Sequence, residues 1–516
     1  MVHESFPSAT LAIRERYHDE FRRIRDPICE DRLLWRAQVF RHCVHLMPGQ
    51  SILELGCGEG LFTSQLLRVS RGENPVTAVS FDASRQRPAT LPPGIEYLAV
   101  SWLPGPLSGR QFDFVVAMDV LDRDNCAGVL QAVYELLRPG GRVLFYESNP
   151  WNPVLKLRRL VGGVFGSKDP RRLLGQPELY EMISEVGFIR IWAVFNDFVY
   201  RPLTPSLIWM LRNMSILLEN APVVRTLAGS ILIQAQKPPS DVPRSRISLA
   251  THAVLRNSIS VVIPCHNEEM NIGSLIEGLR ALYGEYIHEI IAVDDNSTDD
   301  TRKVIEGLAA EDARVKLIAR TPPNGVGRAL ADGYRAATGQ WVLSMDCDFQ
   351  HLLPEIRDLF DAAAEGFDVV VGSRFSRHSV LLNYPFRKIV ANRGFHVLAQ
   401  LVLRRRFRDL TNNLKLMRRE VAAHLLFTQA GFAVNAETGL QPILMGCEAK
   451  EVPISWINRT PAMGMSSFRL ARAGGGYARV LLHAWLKAAL GRGRYRGLAR
   501  LGPLPRTLRP PAGERA

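Results

Sequence analysis

No run of about 18 uncharged apolar residues occurs anywhere in this chain, so the sequence offers no candidate for a bilayer-spanning helix. The N-terminus, MVHESFPSATLAIRERYHDE, carries charge where a secretory leader needs its apolar core. Cysteine is sparse, with seven residues (Cys29, Cys43, Cys57, Cys126, Cys265, Cys347 and Cys447), an odd number without CxxC spacing or a His-rich partner pattern. That argues against a disulfide framework or zinc site and leads us to expect reduced thiols in a cytoplasmic setting. No low-complexity tract interrupts a composition that is 47% hydrophobic and 22% charged, so most of the length should fold.

Acidic residues are scarce at one end only. Residues 387–516 hold 23 Lys/Arg against 6 Asp/Glu, within a chain of net charge +13. There LAQLVLRRRFRDL (398–410) and YARVLLHAWLKAALGRGRYR (477–496) interleave apolar and basic residues at helical spacing. This fits peripheral contact with anionic lipid at the inner face of a cell membrane. No nucleic-acid motif accompanies the charge, and nucleic acid is not an expected partner.

At 516 residues the chain exceeds what one core serves, and domains of roughly 150–250 residues are expected. Strand-like apolar runs alternate with helical patterns in two series: SILEL, VTAVSF, FDFVVAM, GRVLFYE and SILIQAQ, then SISVVIP, HEIIAVDD, VKLIA, QWVLSM and DVVVGS. Both series read as α/β domains on largely parallel sheets, which bind ligands at the carboxyl ends of their strands. The expected boundaries are 1–237, a Pro/Ser/Arg-rich linker 238–257, 258–490, and a basic tail 491–516 without fixed structure.

In the first series SILELGCGEGLFTSQLL (51–67) is a strand, a glycine-rich turn and a helix, with Gly56, Gly58 and Gly60 allowing close approach of a ligand. Together with FDFVVAMDVL and LRPGGRVLFYE, this turn resembles the class I S-adenosylmethionine-dependent methyltransferases over roughly residues 30–237. The resemblance implies a Rossmann-like fold and S-adenosylmethionine held around Glu54, Gly56, Gly58, Gly60 and Asp119. Two departures stand out: Ser80 occupies the place of the ribose-binding acid, with Asp82 two residues on, and Ser101 replaces the acid expected near the adenine. A working methyltransferase and a degenerate, non-catalytic binding module therefore both stay open.

In the second series a strand breaks at Pro264 and passes through Asn267 and Glu268 into a helix. A second strand ends in Asp294-Asp295, and a third is followed by Asp346-Cys347-Asp348. Carboxylates gathered at one sheet edge need compensation, and a hard divalent cation with a substrate diphosphate is an economical partner. The ordered set VVIPCHNEEMNI, IIAVDDNSTDDT, NGVGRALADGYRAATG, MDCDFQHLLPE, DVVVGSRF, DLTNNLKLMRREV and NAETGLQPILMGCEAKEVPISWINRTPAMGMSSF resembles the family 2 glycosyltransferases, in the branch that uses dolichol or polyprenyl phosphate, over residues 258–470. That resemblance implies a GT-A fold and inverting transfer from a GDP- or UDP-linked sugar to a polyprenyl-phosphate or glycan acceptor, in cell-surface glycan assembly. It implies that Pro264, Asn267, Glu268, Asp294 and Asp295 bind the nucleoside and that Asp346 and Asp348 hold Mg²⁺ or Mn²⁺. Arg374 and Arg459 would meet the diphosphate and the acceptor phosphate, and Glu437 stands where hydroxyl-using members place a catalytic acid. His266 takes the place of the family's usual tyrosine.

Overall fold

The apolar runs fold as strands where the sequence places them. The computed structural model describes residues 6–7, 27–164, 172–198, 211, 214–239, 248–347, 353–376, 379–382, 384, 386–457, 470–498 and 500–501, and the chain divides into two units, Met1–Arg244 and Ser245–Ala516.

The front unit is built on β1 (Ile52–Leu55), β2 (Val76–Ser80), β3 (Glu96–Ala99), β4 (Phe112–Met118), β5 (Leu137–Ser148), β6 (Ile189–Asn196) and β7 (Ser230–Gln236). They lie in the order 3-2-1-4-5-7-6, with only β7 antiparallel to its neighbours. Strands β1 and β2 are buried throughout, on both faces, with Glu54, Thr77 and Ser80 buried among their apolar residues. The described helices around the sheet include α1 (Pro27–Val44), α2 (Leu61–Val69), α3 (Cys126–Leu136), α4 (Pro153–Val164) and α5 (Gln176–Glu185). Leu130 and Val133 of α3 share one core with Leu53, Val79, Val115 and Val143 of the central strands. The carboxyl ends of β1, β2 and β4 thus meet at one edge.

The second unit has β8 (Ile259–Cys265), β9 (Ile287–Asp294), β10 (Val315–Ala319), β11 (Trp341–Ser344), β12 (Val369–Ser373), β13 (Lys415–Arg418) and β14 (Ala449–Pro453). Their order is 10-9-8-11-13-12-14, and β13 runs antiparallel between β11 and β12. The larger helices are α6 (Glu269–Tyr283), α7 (Thr301–Glu311), α8 (Val326–Ala336), α9 (Ile356–Ala364), α10 (Phe386–Leu403), α11 (Val434–Leu444) and α12 (Leu470–Leu490). Cys265 pairs with Asp294 and Val262 with Ser344, so β8 and β9 end level and β11 ends at the same edge, opposite Val262. Both mixed α/β sheets match the expected fold class.

Two boundaries need correction. The expected linker is shorter than 238–257, because Leu249 is buried and bonds the Leu282 carbonyl (2.7 Å), and His252 Nε2 meets Asp361 (2.7 Å). Nor does an unstructured tail begin at 491: Tyr495 is fully buried and Leu498 nearly so. An aromatic ring with a buried acceptor for its hydroxyl is retained by the fold despite the basic residues around it.

Candidate functional site

In the front unit the glycine-rich turn has the backbone expected of it. Gly56, Gly58 and Gly60 adopt φ of 73°, 53° and 72°, a region that side chains with a Cβ avoid. The amides of Gly56 and Cys57 both donate to the Val79 carbonyl (2.9 Å), pinning the turn to the end of β2. Part of the glycine requirement comes from the protein itself, since a Cβ on Gly60 would meet Leu91 at 2.5 Å. Ser80 is fully buried and its hydroxyl accepts the Asp82 amide (3.2 Å); Asp82 Oδ1 in turn accepts the Ser84 amide (3.1 Å) and hydroxyl (2.6 Å). Ser101 is exposed just beyond β3. Glu54 is buried within β1 between Ala78 and Val116. Asp119, at φ 56°, accepts the Ser148 amide (2.8 Å) and hydroxyl (2.5 Å), which locks the end of β4 to β5. The turn's shape fits a nucleoside-bearing cofactor. The acidic ribose contact has no equivalent at Ser80, and Asp82 caps its own turn.

The second unit assembles its acids at one edge, but they are less exposed to each other than the sequence suggests. Asp294 is fully buried and its Oδ2 accepts both Nε (3.0 Å) and Nη2 (2.7 Å) of Arg302. Asp295 accepts the Gly325 amide (2.6 Å) and pairs with Arg320. The expectation of uncompensated carboxylates is therefore corrected for this pair, which arginines already balance. Asp346 differs: Oδ1 accepts Asn413 Nδ2 (2.8 Å), while Oδ2 has no donor among the described residues. Asp348 and Arg459 lie outside the described residues.

The entry to α6 is a tight polar turn between strand and helix. Asn267, at φ 56°, accepts the Thr298 amide through Oδ1 (2.8 Å), and its own amide donates to Ser297 Oγ (3.0 Å). The Glu268 amide donates to Thr301 Oγ1 (2.8 Å), and its carboxylate accepts Asn271 Nδ2 (2.7 Å). His266 Nδ1 lies 2.9 Å from the Asp295 carbonyl. Pro264 is the penultimate residue of β8, so all five nucleoside candidates stand at or just beyond the ends of β8 and β9.

Arg374 and Glu437, both expected to act on substrate, are instead committed to the protein. Arg374 is buried, with Nε on Asp409 Oδ2 (2.7 Å), Nη2 on Asp409 Oδ1 (3.0 Å) and Thr411 Oγ1 (3.1 Å), and Nη1 on Tyr384 Oη (3.2 Å). Burial opposes its charge, but Asp409 beside it more than restores it and raises the pKa. Glu437 is fully buried and its carboxylate accepts the amides of Thr428 (2.9 Å) and Gln429 (3.0 Å), the Thr428 hydroxyl and Tyr495 Oη (2.8 Å). These contacts tie the carboxylate to the protein and point to a structural role where the resemblance implied a catalytic acid or base. Glu437→Gln should therefore lower the melting temperature, because an amide NH₂ would confront donors, at about 1–3 kcal/mol, while the rate per folded molecule stays within about threefold of wild type. A loss of three decades in rate at unchanged stability would restore it as the base.

Sequence reasoning missed His396 and Lys415. In His396, Nδ1 lies 2.7 Å from the Asn392 carbonyl and Nε2 accepts the Leu410 amide (2.9 Å), an arrangement only the neutral ring satisfies. Burial pushes its pKa down to about 4, against the pull of Asp409. The unfolded chain then binds the extra proton first, so its stabilisation is complete above about pH 6.5 and is lost as pH falls through 4. Unfolding free energy should drop by up to roughly 3 kcal/mol across that window, and His396→Gln should flatten the slope in urea melts at pH 4–7. Lys415, also fully buried, donates to the carbonyls of Asn412 and Asn435 (3.1 Å) and to Thr438 Oγ1 (3.1 Å), and burial lowers its pKa to about 7. The only signal in the sequence was an uncompensated lysine within an apolar run.

Comparisons with known proteins place this geometry. Residues 260–426 match the model for glycosyl transferase family 2, and residues 18–188 match a methyltransferase domain. The chain is 31% identical over 206 residues to polyprenol monophosphomannose synthase of Mycolicibacterium smegmatis, covering 39% of this chain and 77% of that one. The chain belongs to glycosyl transferase family 2. It is also 28% identical over 213 residues to dolichol-phosphate mannosyltransferase of Pyrococcus furiosus, covering 41% of this chain and 59% of that relative's length. Among solved structures, glucosyl-3-phosphoglycerate synthase from Mycobacterium tuberculosis, in complex with Mn²⁺ and UDP-glucose, aligns at a TM-score of 0.34 and 21% identity over 45% of this chain and 79% of that one. The C-terminal unit is a family 2 glycosyltransferase domain, joined to an N-terminal methyltransferase domain.

Proposed function

We propose that the C-terminal unit transfers a sugar, with inversion, from a GDP- or UDP-linked donor to a polyprenyl-phosphate acceptor, and that the front unit transfers methyl groups from S-adenosylmethionine in the same assembly of cell-surface glycans. The observation that carries the first half is the acidic edge itself. Asp294, Asp295 and Asp346 stand at the ends of β9 and β11, the two strands that flank β8, in a chain similar to polyprenol monophosphomannose synthase. Asp346, with one oxygen oriented by Asn413, and Asp348 would hold Mg²⁺ or Mn²⁺, which supplies charge neutralisation to a leaving diphosphate. Asn267 and Glu268 shape the nucleoside pocket beside Pro264 and Asp294. Arg374 is a positioning residue that fixes the 409–413 segment carrying Asn413, and Arg459 meets the acceptor phosphate. The choice of an ionised acceptor is supported by Glu437: with its carboxylate spent inside the protein, a lipid phosphate that needs no general base fits better than a hydroxyl.

The test is diphosphate release from a panel of nucleotide sugars, with and without polyprenyl phosphate. Release that requires both a divalent cation and the lipid phosphate supports the proposal. Release with glycan hydroxyls alone rejects the lipid acceptor. For the front unit, a second reading, a non-catalytic binding module, is favoured by the absent acid at Ser80 and the self-capping of Asp82. Calorimetric titration of the full chain with S-adenosylhomocysteine separates the two, since no binding at millimolar ligand would leave only the module. We further propose peripheral contact of the glycosyltransferase unit with a membrane face, through Leu398 and Leu401 on α10 and Leu482 and Trp485 on α12, which are exposed, and the basic segments that follow each helix.

A further inference from the structure

The front unit also turns an apolar surface outward, in a region no motif touches. Trp151 (46% exposed) precedes α4, on which Val154 (47%), Leu157 (62%) and Leu160 (71%) face solvent; Val223 (79%) and Leu227 (43%) lie on the segment before β7. Two asparagines at the start of the first stretch tie it to the second. Asn149 Nδ2 donates to the carbonyls of Thr226 (2.9 Å) and Ala228 (2.7 Å), and Asn152 Nδ2 to that of Leu227 (2.6 Å). Val223, the most exposed of the six, sits at φ 64°, a conformation costly for a β-branched residue, and its carbonyl is held by the Thr226 hydroxyl (2.6 Å) and amide (3.0 Å). A contiguous patch of large apolar side chains on a folded surface marks a docking site more often than chance.

Charge selects the occupant. Residues 151–160 contain Lys156, Arg158 and Arg159 with no acid, and residues 221–228 contain Arg225 with none. Two copies packed face to face would set these cations against themselves across a twofold axis, whereas an anionic surface would meet them favourably. We propose that this face docks on an anionic bilayer, Trp151, Leu157, Leu160 and Val223 entering the headgroup region while Lys156 and Arg225 contact lipid phosphate. The patch begins directly after β5, at the same carboxyl edge as the Gly56 turn. A methyl acceptor reaching that edge would then be lipid-borne; this last step alone rests on the methyl-transfer proposal, and the docking does not.

The test uses the full chain and vesicles containing about one third phosphatidylglycerol, an anionic fraction chosen to draw basic segments to the surface, with brominated acyl chains that quench tryptophan on contact. Part of the emission should be quenched in wild type, and Trp151→Phe should lose the Trp151 share of that quenching while any share from exposed Trp485 stays. The double variant Leu157→Glu/Leu160→Glu should remove the same component and weaken vesicle partitioning at least about tenfold, with an unchanged melting curve. Equal quenching in wild type and Trp151→Phe would overturn the proposal. So would concentration-dependent dimerisation that the double variant abolishes without change in vesicle binding, which would assign the face to a second copy. Failure of S-adenosylhomocysteine to bind, with the Trp151 signal intact, would end the methyl-transfer proposal and leave the docking standing.

Discussion

Arg374→Met should destabilise the C-terminal unit by about 3–5 kcal/mol, a large share of the roughly 5–15 kcal/mol that holds a domain together. The reason is the partner left behind. Asp409 is fully buried, both of its oxygens are bonded by the guanidinium, and Arg374 is what holds its carboxyl well below the usual range against burial. Losing the arginine strands a charge that cannot reach water, and the loop from Asp409 to Asn413 loses the anchor that Thr411 shares. The double variant Arg374→Met/Asp409→Leu should recover most of the loss, because replacing both members of a buried pair by apolar groups is often neutral. Urea melts of the three proteins check this. A single variant within about 1 kcal/mol of wild type would mean that the pair is not the anchor, and would return Arg374 to the role of direct diphosphate ligand.

The positions of the central strands, though not their order in the sheets, were legible in the sequence because buried parallel strands write themselves as largely apolar runs. Strand β13 was not legible. KLMR opens on a lysine, and only the structure shows its ammonium sunk among the Asn412 and Asn435 carbonyls. The acidic edge was legible as a set of residue types but not as a charge balance. Arg302 is the second residue of the next helix, 8 positions from Asp294, yet Arg320 is 25 positions from Asp295 and Asn413 is 67 from Asp346. Partners that distant are set by topology, in the latter case by the antiparallel insertion of β13 beside β11. Glu437 failed for the same reason. Its motif context points to catalysis, while its chemistry is decided by Tyr495, 58 residues on, in a stretch whose basic composition reads as tail. In the front unit the glycines announced the turn, but Leu91 against Gly60 shows that a glycine demanded by packing and one demanded by a ligand look alike in sequence.

The largest effect on turnover is expected at the edge of β11. Asp346→Asn preserves the side chain's shape and its place beside Asn413 but removes the negative charge, so the fold should be retained or slightly stabilised. If Asp346 and Asp348 together hold a divalent cation on the diphosphate, removing one ligand charge should lower kcat/KM by at least about a hundredfold and shift the Mg²⁺ or Mn²⁺ activation curve to higher concentration. Asn413→Ala supplies the graded control. It leaves the carboxylate in place and removes only the amide that orients Oδ1 from 2.8 Å, so its loss should fall in the 10–100-fold range of an outer-sphere partner. The order Asp346→Asn worse than Asn413→Ala, with both activation curves displaced in the same direction, follows from a cation at this edge and from no purely structural role. An Asp346→Asn enzyme with wild-type rate and an undisplaced metal curve would remove Asp346 from the metal site. The cation, if one is needed, would then have to be held by Asp348 with other groups, and the Asn413 hydrogen bond would be a strand-end clasp without catalytic consequence.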